Sequence, residues 1–242
     1  MNNSIEKITK KVSSILKKIS NKEKNKIKKT AKIIAKKYFI GGQIYIFGTG
    51  HNHCIAEESL HRAGGFAGAC PILDPRIDFS LGIKKASKLE RSKKIANDIL
   101  RKYDLQKNDL IIIFSNSGIN QLPIEVAKIA KSKKMFVVTV LSKAYADSLT
   151  KSKSKKLYNY SDLFINNYSP VGDTLFNNKG YGFCSSSTIS GLFILNSIWA
   201  ELAILLKKEI PFPFYSSSNL QKKTKHNKIL EEKFSISNKF LV

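Results

Sequence analysis

Apolar residues at the start of the chain recur at helical spacing. Ile5, Ile8, Val12, Ile15, Leu16 and Ile19 share one face with lysines opposite, which predicts an amphipathic helix. The polar run 21–25 interrupts it, and Ile27, Ala31, Ile34, Ala35 and Tyr38 predict a second helix closed by Gly41-Gly42. The period then changes. Segments 43–47, 109–114, 134–141 and 162–166 are short apolar runs rich in β-branched residues, the pattern of strands buried on both faces. Residues 66–73 predict a further short strand. Helical patterns separate these runs: one from His53 to Gly64-Gly65, one over 90–103 with Ile95, Ile99 and Leu100 inward, and one over 121–131 with Leu122, Val126, Ile129 and Ala130 inward. A short helix capped by Ser142 leads to the polar stretch 151–156. Segments 74–89 and 171–182 read as irregular loops. The longest apolar stretch, 189–206, falls in a predicted long helix over 189–207 ended by Pro211 and Pro213. It contains Asn196 and Glu201, so it reads as a core or subunit-interface helix rather than a membrane span. His226 falls in a last short helical segment.

Strands alternating with helices predict an α/β protein: a three-layer sandwich with a mostly parallel five-stranded sheet flanked by helices. Residues 1–40 would form an N-terminal helical segment packing on the domain or on a partner, and residues 41–242 a single ligand-binding domain. Such sheets bind ligands beyond the carboxyl ends of their strands. Three stretches offer small polar residues at that edge. They are Gly48, Gly50, His51 and Asn52; Ser115, Asn116, Ser117, Gly118 and Asn120; and Ser185, Ser186, Ser187 and Thr188. Asn120 is a good N-cap, and Pro123 sits in the first helical turn, where its missing N–H costs little. With no Walker lysine motif, the three loops point to a phosphate site built from hydroxyls and backbone N–H groups at helix N-termini. Gly48-Thr-Gly50 lacks the third glycine of the dinucleotide fingerprint, so nicotinamide binding is not expected.

The formal charge is +24, yet only Arg62, Arg76, Arg91 and Arg101 of the 42 basic residues are arginine. Abundant Lys, Asn and Ile is what an AT-rich coding sequence produces. Arginine, the preferred bidentate partner of phosphate and bases, is scarce, so no specific nucleic-acid partner is expected. Cys54, Cys70 and Cys184 are odd in number and far apart, which fits a reducing cytoplasm and neither a disulfide framework nor structural zinc. His53, Glu57 and His61 share one helix face, but the first and last lie about 12 Å apart along a helix, too far for one ion to meet both. No metal and no cofactor are expected.

Taken in order, Gly48-Thr-Gly-His-Asn-His53, Ala56-Glu-Glu58, Arg62-Ala-Gly-Gly65, Pro71-Ile-Leu-Asp-Pro75, Ser115-Asn-Ser-Gly118, Pro123-Ile-Glu125, Lys156-Leu-Tyr158 and His226-Asn227 resemble the sugar isomerase (SIS) domain family, in particular its small single-domain bacterial members. The phosphoheptose isomerases resemble the chain more distantly. The resemblance implies the SIS, flavodoxin-like version of the sandwich and a phosphorylated sugar or amino sugar as ligand. It implies that Ser115, Ser117 and Asn120 correspond to a Ser-x-Ser-Gly-x-Ser phosphate loop, and Asn52 to a further phosphate-binding serine. Glu58 matches the family's general base by its Ala-Glu-Glu context, with Glu57 left open as the alternative. The family's catalytic histidine on the last long helix has no counterpart, and His226 is the candidate substitute, acting within its own chain or across a subunit interface. The expectation is a cytoplasmic sugar-phosphate isomerase of aldose–ketose type, or a related amino-sugar phosphate lyase or etherase. It would be a homodimer or homotetramer without membrane attachment. The alternative is a non-catalytic phosphosugar sensor.

Overall fold

A computed structural model describes residues 3–149, 155–219 and 224–241. Helices α1 (Ser4–Lys22) and α2 (Lys24–Phe39) precede a five-stranded sheet. Its strands are β1 (Ile44–Gly48), β2 (Ala69–Pro71), β3 (Leu110–Phe114), β4 (Phe136–Leu141) and β5 (Leu163–Asn166). They run in the order β2-β1-β3-β4-β5, and every pairing is parallel.

Period-two alternation divides the strands between two cores. Ile44, Ile46, Leu110, Ile112, Phe114, Val138 and Val140 face α1, α2 and α8 (Ser187–Leu205). Tyr45, Phe47, Ile111, Ile113 and Val137 face the opposite layer. That layer holds α5 (Ala96–Leu100) and α6 (Gln121–Ser132), with α7 (Lys143–Ser148) at its edge. Ile19, Ile27, Ala31 and Ile34 are buried in the first core, so the N-terminal helices are a layer of the sandwich and not an appendage. Asp109 ties the sheet at its base: Oδ1 accepts the Gln43 amide at 2.9 Å and Oδ2 the Gln106 amide at 2.6 Å. Burial raises its pKa above the usual carboxylate value.

Three local expectations are corrected. The helix beginning at His53 is short: α3 covers His53–Glu58 and then turns out through His61, whose φ is 38°. The 74–89 segment is not irregular throughout, because α4 spans Ile83–Glu90, while the 90–103 helix contracts to α5. Residues 171–182 contribute an antiparallel hairpin of β6 (Thr174–Asn178) and β7 (Tyr181–Ser185). Most of the polar stretch 151–156 lies outside the described residues. The last helix, α9, is Thr224–Phe234. Helix α8 has the length and apolarity of a membrane span, but Ile194, Leu195, Ile198, Trp199 and Leu202 are buried in the first core.

Candidate functional site

The strand order reverses direction of growth between β1 and β3, and the loops leaving these two strands part at that point. Such a switch point opens a crevice at the carboxyl edge of a parallel sheet. A cavity of about 350 Å³ sits there. Thr49, Gly50, His51 and Asn52 wall one side, and Ser115, Asn116, Ser117 and Asn120 another. Phe79, Glu90, Tyr145, Asp173 and Ser187 complete the wall.

The β3 loop is shaped for a ligand. Gly118 has φ +63°, and a Cβ there would stand 3.0 Å from Leu141. Ser115 donates its amide to Val140 at 3.0 Å, which fixes the start of the turn. Among the described residues, none of the amides of 116–122 donates to a protein acceptor. They lead into the N-terminus of α6, whose N-cap Asn120 spends no side-chain bond on capping. Asn167 accepts the Ser169 amide through Oδ1 at 3.0 Å and donates Nδ2 to Asn116 Oδ1 at 3.0 Å. That chain orients the Asn116 amide, and its Nδ2 is left buried with no acceptor among the described residues. A row of unspent donors at a helix N-terminus is chemically suited to an anion.

The β1 loop is held by close backbone approach. A Cβ at Gly48 would meet the Asn52 carbonyl oxygen at 2.2 Å. Gly50 donates its amide to Ile77 at 2.8 Å, joining this loop to the 74–82 segment. That segment is anchored by buried Asp74, which accepts Arg76 Nε at 2.8 Å and Lys102 Nζ at 2.8 Å. Burial pushes the Asp74 pKa up, but the Arg76 and Lys102 hydrogen bonds outweigh it and hold the carboxyl well below the usual carboxylate range. Opposite the β3 loop, Glu90 Oε1 accepts Thr49 Oγ1 at 2.6 Å. His51 lies edge-on to Phe79 with ring centroids 4.9 Å apart.

The third loop contributes less than its serines promise. Asp173 Oδ1 accepts the amides of Ser186 and Ser187 at 3.1 and 2.8 Å, and Oδ2 accepts Ser187 Oγ at 2.6 Å. A carboxylate of the chain itself therefore occupies the first turn of α8. Ser187 alone of that group reaches the cavity, whereas Ser185 is exposed on β7 and Thr188 is half-buried beyond the lining.

Glu58 and His226 are not brought to this cavity. Glu58 pairs with Arg62 in a small hollow with Trp199 and Asn196. His226 lies in an adjoining wide depression, with Nε2 2.9 Å from the Phe214 carbonyl oxygen. The two depressions share Gly64, Asn196 and Trp199. Glu90, Asp173 and Tyr145 line the cavity but were not singled out from sequence. Glu90 closes α4, which has no side-chain cap, Tyr145 lies in the short helix capped by Ser142, and Asp173 lies in the segment that read as an irregular loop.

The SIS domain model matches residues 8–142. The chain belongs to the SIS domain family. A UPF0309 protein of Halalkalibacterium halodurans is 38% identical over 229 residues, covering 93% of this chain and 92% of the relative. A UPF0309 protein of Geobacillus sp. is 35% identical over 236 residues, 95% of each chain. Among solved structures, a candidate phosphosugar isomerase involved in capsule formation from Bacteroides fragilis superposes with TM-score 0.58 at 14% identity, covering 92% of this chain and 95% of that one. Phosphoheptose isomerase GmhA from Neisseria gonorrhoeae gives 0.52 at 11% identity, covering 82% and 96%. The Vibrio vulnificus NanR protein, complexed with ManNAc-6P, gives 0.51 at 13% identity, covering 95% and 70%. At these identities the likeness is one of fold.

Proposed function

We propose that the chain binds a phosphorylated sugar or amino sugar in the cavity between the β1 and β3 loops and interconverts its aldose and ketose forms. The observation that carries the reading is the run of unspent donors over 116–122, opening on a cavity at the sheet's switch point. A phosphate dianion there takes backbone amides, the Ser115 and Ser117 hydroxyls and the spare Asn116 and Asn120 amide groups. The positive end of α6 favours it further. Asn52 approaches from the β1 loop.

The sugar then extends toward Glu90 and Asp173, whose carboxylates accept hydroxyl hydrogens. Isomerisation requires a base to remove the proton next to the carbonyl and a group to serve the oxygens. Glu90 is the cavity carboxylate not spent on a helix end, with one oxygen oriented by Thr49, and it takes the base role in this reading. His51 serves the oxygens from the rim. Glu58 and His226 enter the chemistry only if a second copy of the chain brings its depression against this cavity. The outward Ile204 and Leu205 of α8, with Ile210 beyond its end, support a homodimer or homotetramer formed on that face. The three unpaired cysteines support a cytoplasmic setting.

The test is a thermal-shift panel of pentose, hexose and amino-sugar phosphates followed by turnover of whichever binds. Glu90→Gln is expected to abolish turnover and keep affinity. Turnover unchanged in Glu90→Gln and lost in Glu58→Gln would move the base to a neighbouring subunit. Binding without turnover favours the second reading, a non-catalytic phosphosugar sensor. Support for that reading comes from the placement of Glu58 and His226 outside the cavity and from the shared fold of NanR.

A further inference from the structure

Tyr168, two residues beyond β5, has φ 55°. That is the left-handed region, which a bulky residue enters only at a cost and keeps only when contacts hold it there. The Tyr168 hydroxyl donates to Glu23 Oε1 at 2.9 Å. Burial first, then the hydrogen bond to Glu23, raises the Tyr168 pKa, so the phenol keeps its proton and donates. Glu23 is buried at the joint between α1 and α2. Its amide closes α1 on the Ile19 carbonyl at 2.9 Å, and its carbonyl accepts the Ile27 amide of α2 at 2.9 Å. On the other side, the Tyr168 amide donates to Asn166 Oδ1 at 3.2 Å.

The two neighbours of Tyr168 carry this turn to the cavity wall. Asn167 and Ser169 are both buried, and Asn167 Oδ1 accepts the Ser169 amide at 3.0 Å while Nδ2 donates to Asn116 Oδ1 at 3.0 Å. The Ser169 carbonyl accepts Ser142 Oγ at 2.6 Å, and the Ser142 amide donates to the Asn116 carbonyl at 3.0 Å. Asn116 is thus held by side chain and by main chain, and both holds lead back to the same turn. Asn116 opens the run of unspent amides, so its orientation sets where that run points.

We propose, resting on the sugar-phosphate reading of the cavity, that Asn167, Tyr168 and Glu23 are positioning residues for the β3 loop. Glu23 latches Tyr168 in its left-handed turn, and the turn aims Asn116 and the amides that follow it at the anion. The α1–α2 joint thereby belongs to the ligand site, although no residue of either helix is among the described residues that line the cavity. Lys26 Nζ stands 2.8 Å from Glu23 Oε2, so the carboxylate keeps a partner when Tyr168 is changed.

The test is ¹⁵N NMR of ligand-free, full-length protein, followed by calorimetric titration with a hexose 6-phosphate. Tyr168→Phe removes only the latch, Asn167→Ala removes the link to Asn116, and both are expected to shift the amide resonances of residues 116–120. Tyr168→Ala is expected to weaken sugar-phosphate binding about tenfold, because alanine leaves the left-handed region. Tyr168→Gly enters that region freely and is expected to stay within about threefold of the parent. A mere packing role gives the opposite order, since alanine fills more space than glycine. Tyr168 is only half-buried, so its variants carry the test if Asn167→Ala misfolds. Loop resonances unmoved in Tyr168→Phe, or Tyr168→Ala binding as tightly as Tyr168→Gly, would overturn the proposal. Moved resonances in a parent that binds no sugar phosphate would uphold the coupling and sink the sugar-phosphate reading instead.

Discussion

At the scale of single residues, the proposed anion seat depends on atoms that have no other employment. The Ser117 hydroxyl is half-exposed and spent on no partner among the described residues, so Ser117→Ala is expected to weaken sugar-phosphate binding about tenfold without moving the melting temperature. Gly48 is different. Any side chain there collides with the Asn52 carbonyl, so Gly48→Ala is expected to lower both stability and affinity, read by thermal melts with and without ligand. Asp74 carries the pH dependence of the loop that brings in Asp78 and Phe79. Its folded pKa is depressed, so its stabilisation is complete above the ordinary carboxylate value near ~3.9 and is lost as pH falls through the lower folded value. Asp74→Asn removes the charge that pairs with Lys102 and leaves Arg76 only Asp98, and is expected to cost about 3 kcal/mol at pH 7. The gap between parent and variant in urea melts is expected to narrow below about pH 4.

At the scale of elements, the site is three loops leaving one sheet edge, and the sequence showed two of them well. The β3 loop was legible because its parts are local: a β-branched strand, a Ser-Asn-Ser-Gly turn, an N-cap and a first-turn proline. The β1 loop was legible through Gly48 and Gly50 for the same reason. The α8 loop offers fewer free donors than its serines suggest, because Asp173, fourteen residues before Ser187, satisfies the helix end. Glu58 matched by its Ala-Glu-Glu context, but within one chain it pairs with Arg62 outside the cavity. Glu90 could not be found, because the helix ending there, α4, lacks a side-chain cap. Placing Glu58 on Arg62 gives an expectation at this scale: in protein held monomeric, Glu58→Gln leaves sugar-phosphate affinity unchanged in calorimetry, whereas Glu90→Ala alters it.

At the scale of the whole molecule, the order of periodicities was enough for the architecture. Four strong strand patterns, separated by helical ones, leave a parallel sheet with helices on both faces. What period alone does not give is strand order, and hence which loops meet. Parallel pairing of Gly48 with Phe114 puts the β1 and β3 loops side by side, and that pairing joins residues far apart in the chain. The net charge of +24 surrounds this site without composing it, since the lining residues are chiefly neutral donors and two carboxylates. Sugar-phosphate binding is therefore expected to fall only modestly between 50 and 200 mM salt, roughly as one dianion requires, whereas a nucleic-acid surface would lose about 10³-fold or more.

The most direct measurement is a crystal structure of the protein soaked with mixed hexose and amino-sugar 6-phosphates. The account predicts a phosphoryl group within hydrogen-bond distance of the 116–122 amides and Ser117, with the sugar running toward Glu90. A phosphoryl group bound in the depression at His226, or a β3 loop left empty beside an occupied site elsewhere, would contradict it.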